Sequence, residues 1–225
     1  MKKLNLPTKI TIARIFLAVA LVIGLVVFYL LDQFGVFYVR EANLWMQAGS
    51  GSKISVNYLM LIFLGVFLLA SLSDFLDGYL ARKNNQVTDL GKFLDPLADK
   101  MLIDSLMIFL SFNFVSLNGD AKFPFFCVII MTIRDLIVDG MRLMAARKNV
   151  VVAANIYGKL KTVTQMAAIV VVLLNGFPFS FFDNNRLPYL HVSDWLCYIA
   201  TFFSVFSGVI YMKENMHIFG GKNNE

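Results

Sequence analysis

Four aspartates in the middle of the chain have the type and spacing suited to metal-assisted chemistry. They lie within residues 73–100, whose sequence is SDFLDGYLARKNNQVTDLGKFLDPLADK. Asp74 and Asp77 are three residues apart, and Asp95 and Asp99 are four apart, so on helices each pair shares one face. Carboxylate oxygens suit hard divalent cations such as magnesium or manganese. Two such cations can clamp the attacking and leaving oxygens of a phosphoryl transfer.

The two aspartate pairs belong to two predicted helices joined by a short polar connection at residues 83–90. A connection of this length is typical of antiparallel neighbouring helices. We therefore expect the four carboxylates to converge between the two helices. Gly78 and Ala81 follow on the first helical face, and Gly91 lies one turn before Asp95. Small residues at these positions would let a ligand or another helix approach closely.

The helices that carry these aspartates are predicted to lie in a membrane. Hydrophobic residues make up 58% of the 225 residues and charged residues 16%, against about a half and about a quarter in a soluble domain. Since a helix satisfies its own backbone groups in lipid, we predict an all-helical integral membrane protein. It would be a single domain, 1–225, with about six membrane spans. The apolar segments are 15–31, 56–73, 101–117, 123–144, 162–182 and 195–212.

The basic residues predict how this bundle is oriented. Most Lys and Arg residues fall on one set of alternating connections and helix ends, and the positive-inside rule places that side, with both termini, in the cytoplasm. The net charge of +5 fits attraction to anionic headgroups and phosphate substrates. No basic, aromatic-lined soluble module points to nucleic acid. The longest connection, 32–53, is predicted to be a flexible outer loop.

Three alternatives to a metal-assisted enzyme would also explain the acidic residues. The plainest is ordinary helix packing with interfacial charges, but an Asp at the bilayer centre costs about 2.5–3.5 kcal/mol on insertion scales, so intramembrane acids usually have a function. A divalent-cation transporter would need acids along a continuous path, whereas these cluster beside basic residues that repel cations. Four acids on paired helical turns also suit metals better than the proton-sharing pair of an aspartyl protease.

The spacing of the cluster resembles the signature of the CDP-alcohol phosphatidyltransferases. That signature reads Asp-x2-Asp-Gly-x2-Ala-Arg-x8-Gly-x3-Asp-x3-Asp. Each of its fixed positions is present in this chain, at Asp74, Asp77, Gly78, Ala81, Arg82, Gly91, Asp95 and Asp99. Other segments resemble the bacterial phosphatidylglycerophosphate synthase branch of the family, and they contain Asn5, Thr11 and Arg14, Arg134-Asp135 and Arg142, and Lys159 and Lys161.

The resemblance implies a reaction and a set of roles. Two divalent cations, Mg or Mn, would bind Asp74, Asp77, Asp95 and Asp99, and Asp99 would also be the general base. The CDP moiety of CDP-diacylglycerol would lie along Asp74, Gly78, Ala81, Arg82 and Gly91. The hydroxyl of sn-glycerol 3-phosphate would displace CMP to give phosphatidylglycerophosphate. The resemblance also implies a homodimer, and a multi-pass protein of a bacterial inner membrane.

The acceptor's phosphate needs a cationic pocket of its own, because Arg grips phosphate bidentately and Lys acts as a point charge. The candidates are Arg134, Arg142, Lys159 and Lys161. They favour a phosphorylated acceptor over serine, while inositol phosphate or phosphatidylglycerol acceptors remain alternatives within the family. Two further acids, Asp104 and Asp139, match no motif: we expect Asp139 to pair with Arg142 or Arg134, and Asp104 has no obvious partner.

Overall fold

Long helices make up most of the described protein. The computed structural model describes residues 6–47, 53–83, 89–113, 122–148, 156–179 and 191–216. In chain order the elements are α1 (Leu6–Gln33), α2 (Phe37–Arg40), β1 (Asn43–Gln47), β2 (Lys53–Asn57), α3 (Tyr58–Lys83), α4 (Asp89–Leu110), α5 (Phe125–Arg147), α6 (Ile156–Leu173) and α7 (Val192–Asn215).

The segment predicted to be a flexible outer loop contains α2 and an antiparallel hairpin instead. Strands β1 and β2 pair from Asn43 with Asn57 to Gln47 with Lys53. Buried Asn57 holds this segment in a fixed conformation, because its Nδ2 donates to the Val39 carbonyl at 2.9 Å and its Oδ1 accepts from the Leu59 amide at 2.9 Å. The all-helical prediction is therefore wrong for this segment. The Gly-Ser run at 49–52 lies outside the described residues.

The apolar surface is that of a membrane protein. Among the residues that the structure describes, three helical stretches are long and apolar enough to cross a bilayer: Thr8–Gln33, Ile156–Leu173 and Asp194–Asn215. Large side chains such as Phe16, Ile23 and Leu136 expose 60–70% of their surface, which fits contact with lipid rather than water. Helices α4 and α5 carry the most interrupted sequences, because their charged residues line an internal cavity.

Helix α1 packs against both α3 and α4 and joins them. Its buried Phe28 contacts Phe63 of α3 and Phe109 of α4, with ring centroids 5.9 and 6.0 Å apart. Sequence reasoning predicted that α3 and α4 would be direct neighbours, but among the described residues each of them makes its main contacts with α1. Helix α1 therefore brings its own side chains between the two aspartate pairs.

Helices α5, α6 and α7 form the other half of the bundle. Helix α7 packs against both α5 and α6, and α4 contacts α5 and α6. Gln165 of α6 is buried, and its Nε2 points at the sulfurs of Met131 and Met107 at 3.3 and 3.7 Å. Helix α4 is thus shared by the two halves.

Candidate active site

Arg14 of α1 lies among three of the four predicted metal-binding aspartates. Its side chain is fully buried, and its Nη1 contacts Asp74 Oδ1 of α3 and lies 3.4 Å from Asp99 Oδ1 of α4. Its Nη2 lies 3.4 Å from Asp95 Oδ1. We call Arg14, Asp74, Asp95 and Asp99 the carboxylate cluster. It converges from three helices rather than the two that the sequence predicted.

The contact between Arg14 and the aspartates was not predicted from the sequence. Arg14 was assigned to an N-terminal motif with Asn5 and Thr11, without a partner. A charged residue near the start of an apolar helix needs a counter-ion within the protein, and that was the available signal. Thr11, one turn earlier, is buried as well, whereas Asn5 lies outside the described residues.

The remaining signature residues lie on the same two helices. Gly78 follows Asp74 by one turn of α3, and Gly91 precedes Asp95 by one turn of α4. Asp77, Ala81 and Arg82 also belong to α3, but their side chains lie outside the described part of the chain. The structure thus brings Asp74, Asp95 and Asp99 together, and the position of the Asp77 carboxylate stays a prediction.

The charges of the cluster do not balance. A single guanidinium faces three carboxylates, which leaves two negative charges when all are ionised. The side chains of Asp74, Asp95 and Asp99 are 41%, 45% and 43% exposed, so part of each carboxylate is open to a ligand. Carboxylates gathered in this way attract cations, and an all-oxygen donor set suits magnesium or manganese.

In the described part of the chain, no three His, Cys, Asp or Glu side chains are gathered closely enough to hold one metal ion. The guanidinium of Arg14 lies among the aspartates and occupies one oxygen of Asp74. The oxygen donors suit divalent cations, but the described side chains are not arranged to hold one, so metal ligation stays a prediction.

A cavity of about 240 Å³ opens beside the carboxylate cluster, between α4, α5, α6 and α7. Asp99 lines it, so the predicted base belongs both to the cluster and to this cavity. All four cations predicted for the acceptor's phosphate line this cavity as well. The other charged residues on its wall are the cations Lys100, Arg134, Arg142, Lys159 and Lys161, and the acids Asp104, Asp135 and Asp139. We call this space the basic cavity.

Arg134 is fixed in the wall of the basic cavity by two helices. Its Nη1 donates to Asp135 at 2.8 Å, and its Nη2 donates to Ser207 Oγ of α7 at 2.7 Å. Asp135, whose side chain is only 8% exposed, also accepts from Lys161 Nζ at 2.5 Å. Gly208 provides the room, since a Cβ there would lie 2.9 Å from Arg134 Cγ. The guanidinium is therefore positioned before any ligand binds.

Asp139 has a different partner from those the sequence suggested. Its Oδ2 pairs with Lys100 Nζ of α4, whereas Arg134 pairs with Asp135. Arg142 lies instead over the ring of Tyr211, with its Cζ 5.5 Å from the centroid. The predicted pairing of Asp139 with Arg134 or Arg142 is therefore wrong. The signal for Lys100 was its position directly after Asp99 on the helix that faces the cavity.

Comparison with known proteins identifies the family of this site. The family model described as CDP-alcohol phosphatidyltransferase matches residues 4–206, a range that includes both the carboxylate cluster and almost all of the basic cavity. The chain belongs to the CDP-alcohol phosphatidyltransferase family. The resemblance on which the sequence analysis relied is confirmed.

Individual family members are similar over nearly their whole length. Bacillus subtilis (strain 168) has a relative that is 37% identical, covering 94% of this chain and 95% of its own. Relatives in Mycoplasma pneumoniae and Mycoplasma genitalium are 35% and 38% identical; each alignment covers 93% of this chain, and 87% and 83% of theirs. All three carry the name CDP-diacylglycerol–glycerol-3-phosphate 3-phosphatidyltransferase.

In this CDP-alcohol phosphatidyltransferase the signature and the basic cavity meet at α4. The signature ends at Asp99, and the next residues of the same helix, Lys100, Ile103 and Asp104, form part of the cavity wall. A transferase needs its two substrates side by side at the reacting atoms. One helix that serves both the acidic and the basic region provides that arrangement.

Proposed function

We propose that this protein transfers a phosphatidyl group from CDP-diacylglycerol to sn-glycerol 3-phosphate, giving phosphatidylglycerophosphate and CMP. The names of the relatives, which cover more than nine-tenths of this chain, support both substrates. One structural observation supports the reaction most strongly: Asp99 belongs to the carboxylate cluster and also lines the basic cavity. A group in that position faces the donor and the acceptor at once.

The carboxylate cluster is the proposed donor site. Asp74, Asp77, Asp95 and Asp99 would hold two divalent cations, magnesium or manganese. Bound there, the cations would neutralise the donor's diphosphate and stabilise the leaving oxygen of CMP. The net negative charge and half-exposed oxygens of the described aspartates support this proposal. The CDP moiety would extend along Asp74, Gly78, Ala81, Arg82 and Gly91, as the family signature suggests.

The basic cavity is the proposed acceptor site. Its five cations exceed its four acids, Asp99 included, by one charge, so the wall attracts a phosphate monoester of charge about −1.5 to −2 at pH 7. Arg134, Arg142, Lys159 and Lys161 would bind that phosphate. Because Asp135 and Ser207 already orient Arg134, little ordering would be needed on binding.

Asp99 would accept the proton of the attacking hydroxyl. The hydroxyl oxygen would form a bond to the β-phosphorus of CDP-diacylglycerol. The bond from that phosphorus to the oxygen of CMP would break, and CMP would leave with the electron pair. Asp99 lines the cavity in which the acceptor would lie, so the proton would have only a short way to travel.

The membrane topology is a further part of the proposal. We infer that α1, α3, α4, α5, α6 and α7 all span the bilayer of a bacterial inner membrane, with both termini in the cytoplasm. The charges of α4 and α5 would then face the carboxylate cluster and the basic cavity rather than lipid, which supports counting both helices as spans. The homodimer stays a prediction.

The direct test is CMP release by the detergent-purified protein with CDP-diacylglycerol and magnesium. Glycerol 3-phosphate, inositol phosphate, serine and phosphatidylglycerol are supplied in separate reactions, each with and without a chelator. We expect release only with glycerol 3-phosphate and none with chelator. Release with a different acceptor would contradict the proposed acceptor. Release that the chelator does not affect would contradict the proposed metal site. Metal flux into liposomes without CMP release would make the protein a transporter.

A further inference from the structure

Tyr211 of α7 is a buried residue in the wall of the basic cavity, and the proposed function gives it no role. A buried Tyr usually donates its hydroxyl hydrogen to an acceptor. The Tyr211 hydroxyl oxygen, however, has no hydrogen-bond partner among the described residues. The aromatic ring is therefore the part of Tyr211 that can act on the cavity.

That ring contacts one of the two arginines that α5 contributes to the cavity. The Cζ atom of Arg142 lies over the Tyr211 ring, 5.5 Å from its centroid, and a guanidinium within about 6 Å of a ring centroid is attracted to the ring face. About two turns earlier on α5, Arg134 donates to Ser207. Ser207 and Tyr211 are four residues apart, so one face of α7 contacts both arginines.

Arg142 is held differently from the cations that have acidic partners. Three cations of the cavity are each paired with a carboxylate: Lys100 with Asp139, and Arg134 and Lys161 with Asp135. Arg142 makes no salt bridge or hydrogen bond within the part of the chain that the structure describes, and its side chain is exposed. Its contact with Tyr211 is therefore what orients it.

The kind of partner decides what remains for a ligand. A carboxylate takes up N–H donors of a guanidinium and cancels its charge. An aromatic ring carries no net charge, and this one leaves all five N–H donors of Arg142 without a hydrogen bond to the described protein. Two of those donors can bind two oxygens of one phosphate in parallel.

We propose that Tyr211 is a positioning residue, which holds Arg142 at the cavity through its ring and so keeps the charge and the donors of that guanidinium available for the acceptor's phosphate. This inference rests on the proposed function of the basic cavity. Tyr211 acts through Arg142 and does not itself bind the acceptor. Orienting a long side chain before the ligand arrives lowers the entropy lost on binding.

The test is the KM for sn-glycerol 3-phosphate, measured by CMP release at saturating CDP-diacylglycerol for the full-length wild type, Tyr211→Phe and Tyr211→Leu. Phe keeps the ring and loses only a hydroxyl that has no partner, so its KM should stay within about twofold of the wild type. Leu has no ring face, so its KM should rise about three- to tenfold, as expected for the loss of a cation–π contact. The kcat should change less than about twofold.

A second measurement separates positioning from a general effect on structure. Arg142→Gln removes the group through which Tyr211 is proposed to act. Adding Tyr211→Leu to Arg142→Gln should therefore raise the KM no further than about twofold, whereas two independent effects would combine in full.

Tyr198→Leu is the matched control, because it makes the same change on the same helix. Tyr198 stacks on Phe126, with ring centroids 5.9 Å apart, and it is not part of the cavity wall. Its KM for glycerol 3-phosphate should stay within about twofold of the wild type. Tyr211→Met, whose flexible side chain adapts to irregular space, replaces Tyr211→Leu if that variant does not fold, with the same expected rise.

An unchanged KM in the variants without a ring would overturn the inference. So would an equal rise in Tyr211→Phe and Tyr211→Leu, or a full further rise when Tyr211→Leu is added to Arg142→Gln. A wild type that releases no CMP with glycerol 3-phosphate would instead remove the proposed function, and the inference with it. The wild-type reaction therefore separates the two failures before any variant is measured.

Discussion

The carboxylate cluster and the basic cavity share α4 but are built in opposite ways. In the cluster, one buried cation faces three half-exposed acids. In the cavity, five cations outnumber the acids, and the most buried acid, Asp135, holds two of them in place. The first arrangement leaves negative charge at an open surface and the second leaves positive charge around a preformed space. The cluster is thus suited to cations and the cavity to phosphate.

The two regions also differ in how enclosed their side chains are. The Arg134 side chain is 15% exposed, is bonded to Asp135 and Ser207, and packs against Gly208. The side chains of Asp95 and Asp99 are 45% and 43% exposed, and each lies 3.4 Å from Arg14. An enclosed pocket favours selection among similar acceptors, whereas exposed carboxylates can rearrange around incoming cations. Four predictions test this contrast, beginning with the residue that belongs to both regions.

The largest effect is expected for Asp99→Asn. The substitution removes the proposed base and a proposed metal ligand together, so CMP release should fall by at least about 10³-fold, near the upper part of the range for general base catalysis. The measurement is turnover under saturating substrates, with size-exclusion behaviour in detergent as the control for folding. Activity within tenfold of the wild type would remove Asp99 from catalysis.

Arg134→Ala should act on the acceptor alone. Losing a fixed, partly buried guanidinium should raise the KM for glycerol 3-phosphate by about 10- to 100-fold, with little change in the KM for CDP-diacylglycerol. Arg134→Lys keeps the charge without the planar fork, so its KM for glycerol 3-phosphate should lie between those of the wild type and Arg134→Ala. A similar rise in both KM values would show that Arg134 does not separate the two sites.

Arg14→Gln should change how the cluster responds to divalent cations. Without the guanidinium, three carboxylates repel one another, and we expect a loss of about 2 kcal/mol after allowing for their exposure. That corresponds to a fall in Tm of about 4–8 °C for a chain of this size, which magnesium should largely restore. Thermal unfolding in detergent, with and without magnesium, measures both effects.

Arg142→Gln is the matched control for Arg14→Gln, because Arg142 lies over Tyr211 in the basic cavity rather than among the three aspartates. Its Tm should not become more dependent on magnesium. If the two variants respond to magnesium in the same way, the proposed difference in charge between the regions is not supported.

The smallest expected effect is that of Gly208→Ala. The added Cβ would come within 2.9 Å of Arg134 Cγ and displace the guanidinium, so the KM for glycerol 3-phosphate should rise by about three- to tenfold, a cost of roughly 1 kcal/mol for small overpacking. Gly140→Ala on α5 is the control, because its Cβ would meet nothing within 4 Å. Equal behaviour of the two variants would count against the fixed position of Arg134.

Much of the candidate site was predictable because its signals are local. Apolar runs interrupted by Asp104 or by Arg134 and Asp135 mark helices whose charges must face inward, since lipid offers no partner for a charge. Helical spacing then groups Asp95 with Asp99 on one face. These inferences need only the order of residues along one helix. All four cations predicted for the acceptor's phosphate line a single cavity for this reason.

The partners across helices could not be predicted in the same way. Arg14 among the aspartates, Lys100 with Asp139, and the hairpin held by Asn57 all depend on which helices are neighbours. Several faces of each helix are apolar, and helix association in lipid rests on close packing rather than on burial away from water. Many helix orders are therefore compatible with one hydropathy pattern. Only the tertiary packing decided that α1 lies against both α3 and α4, and so that a guanidinium sits among the carboxylates.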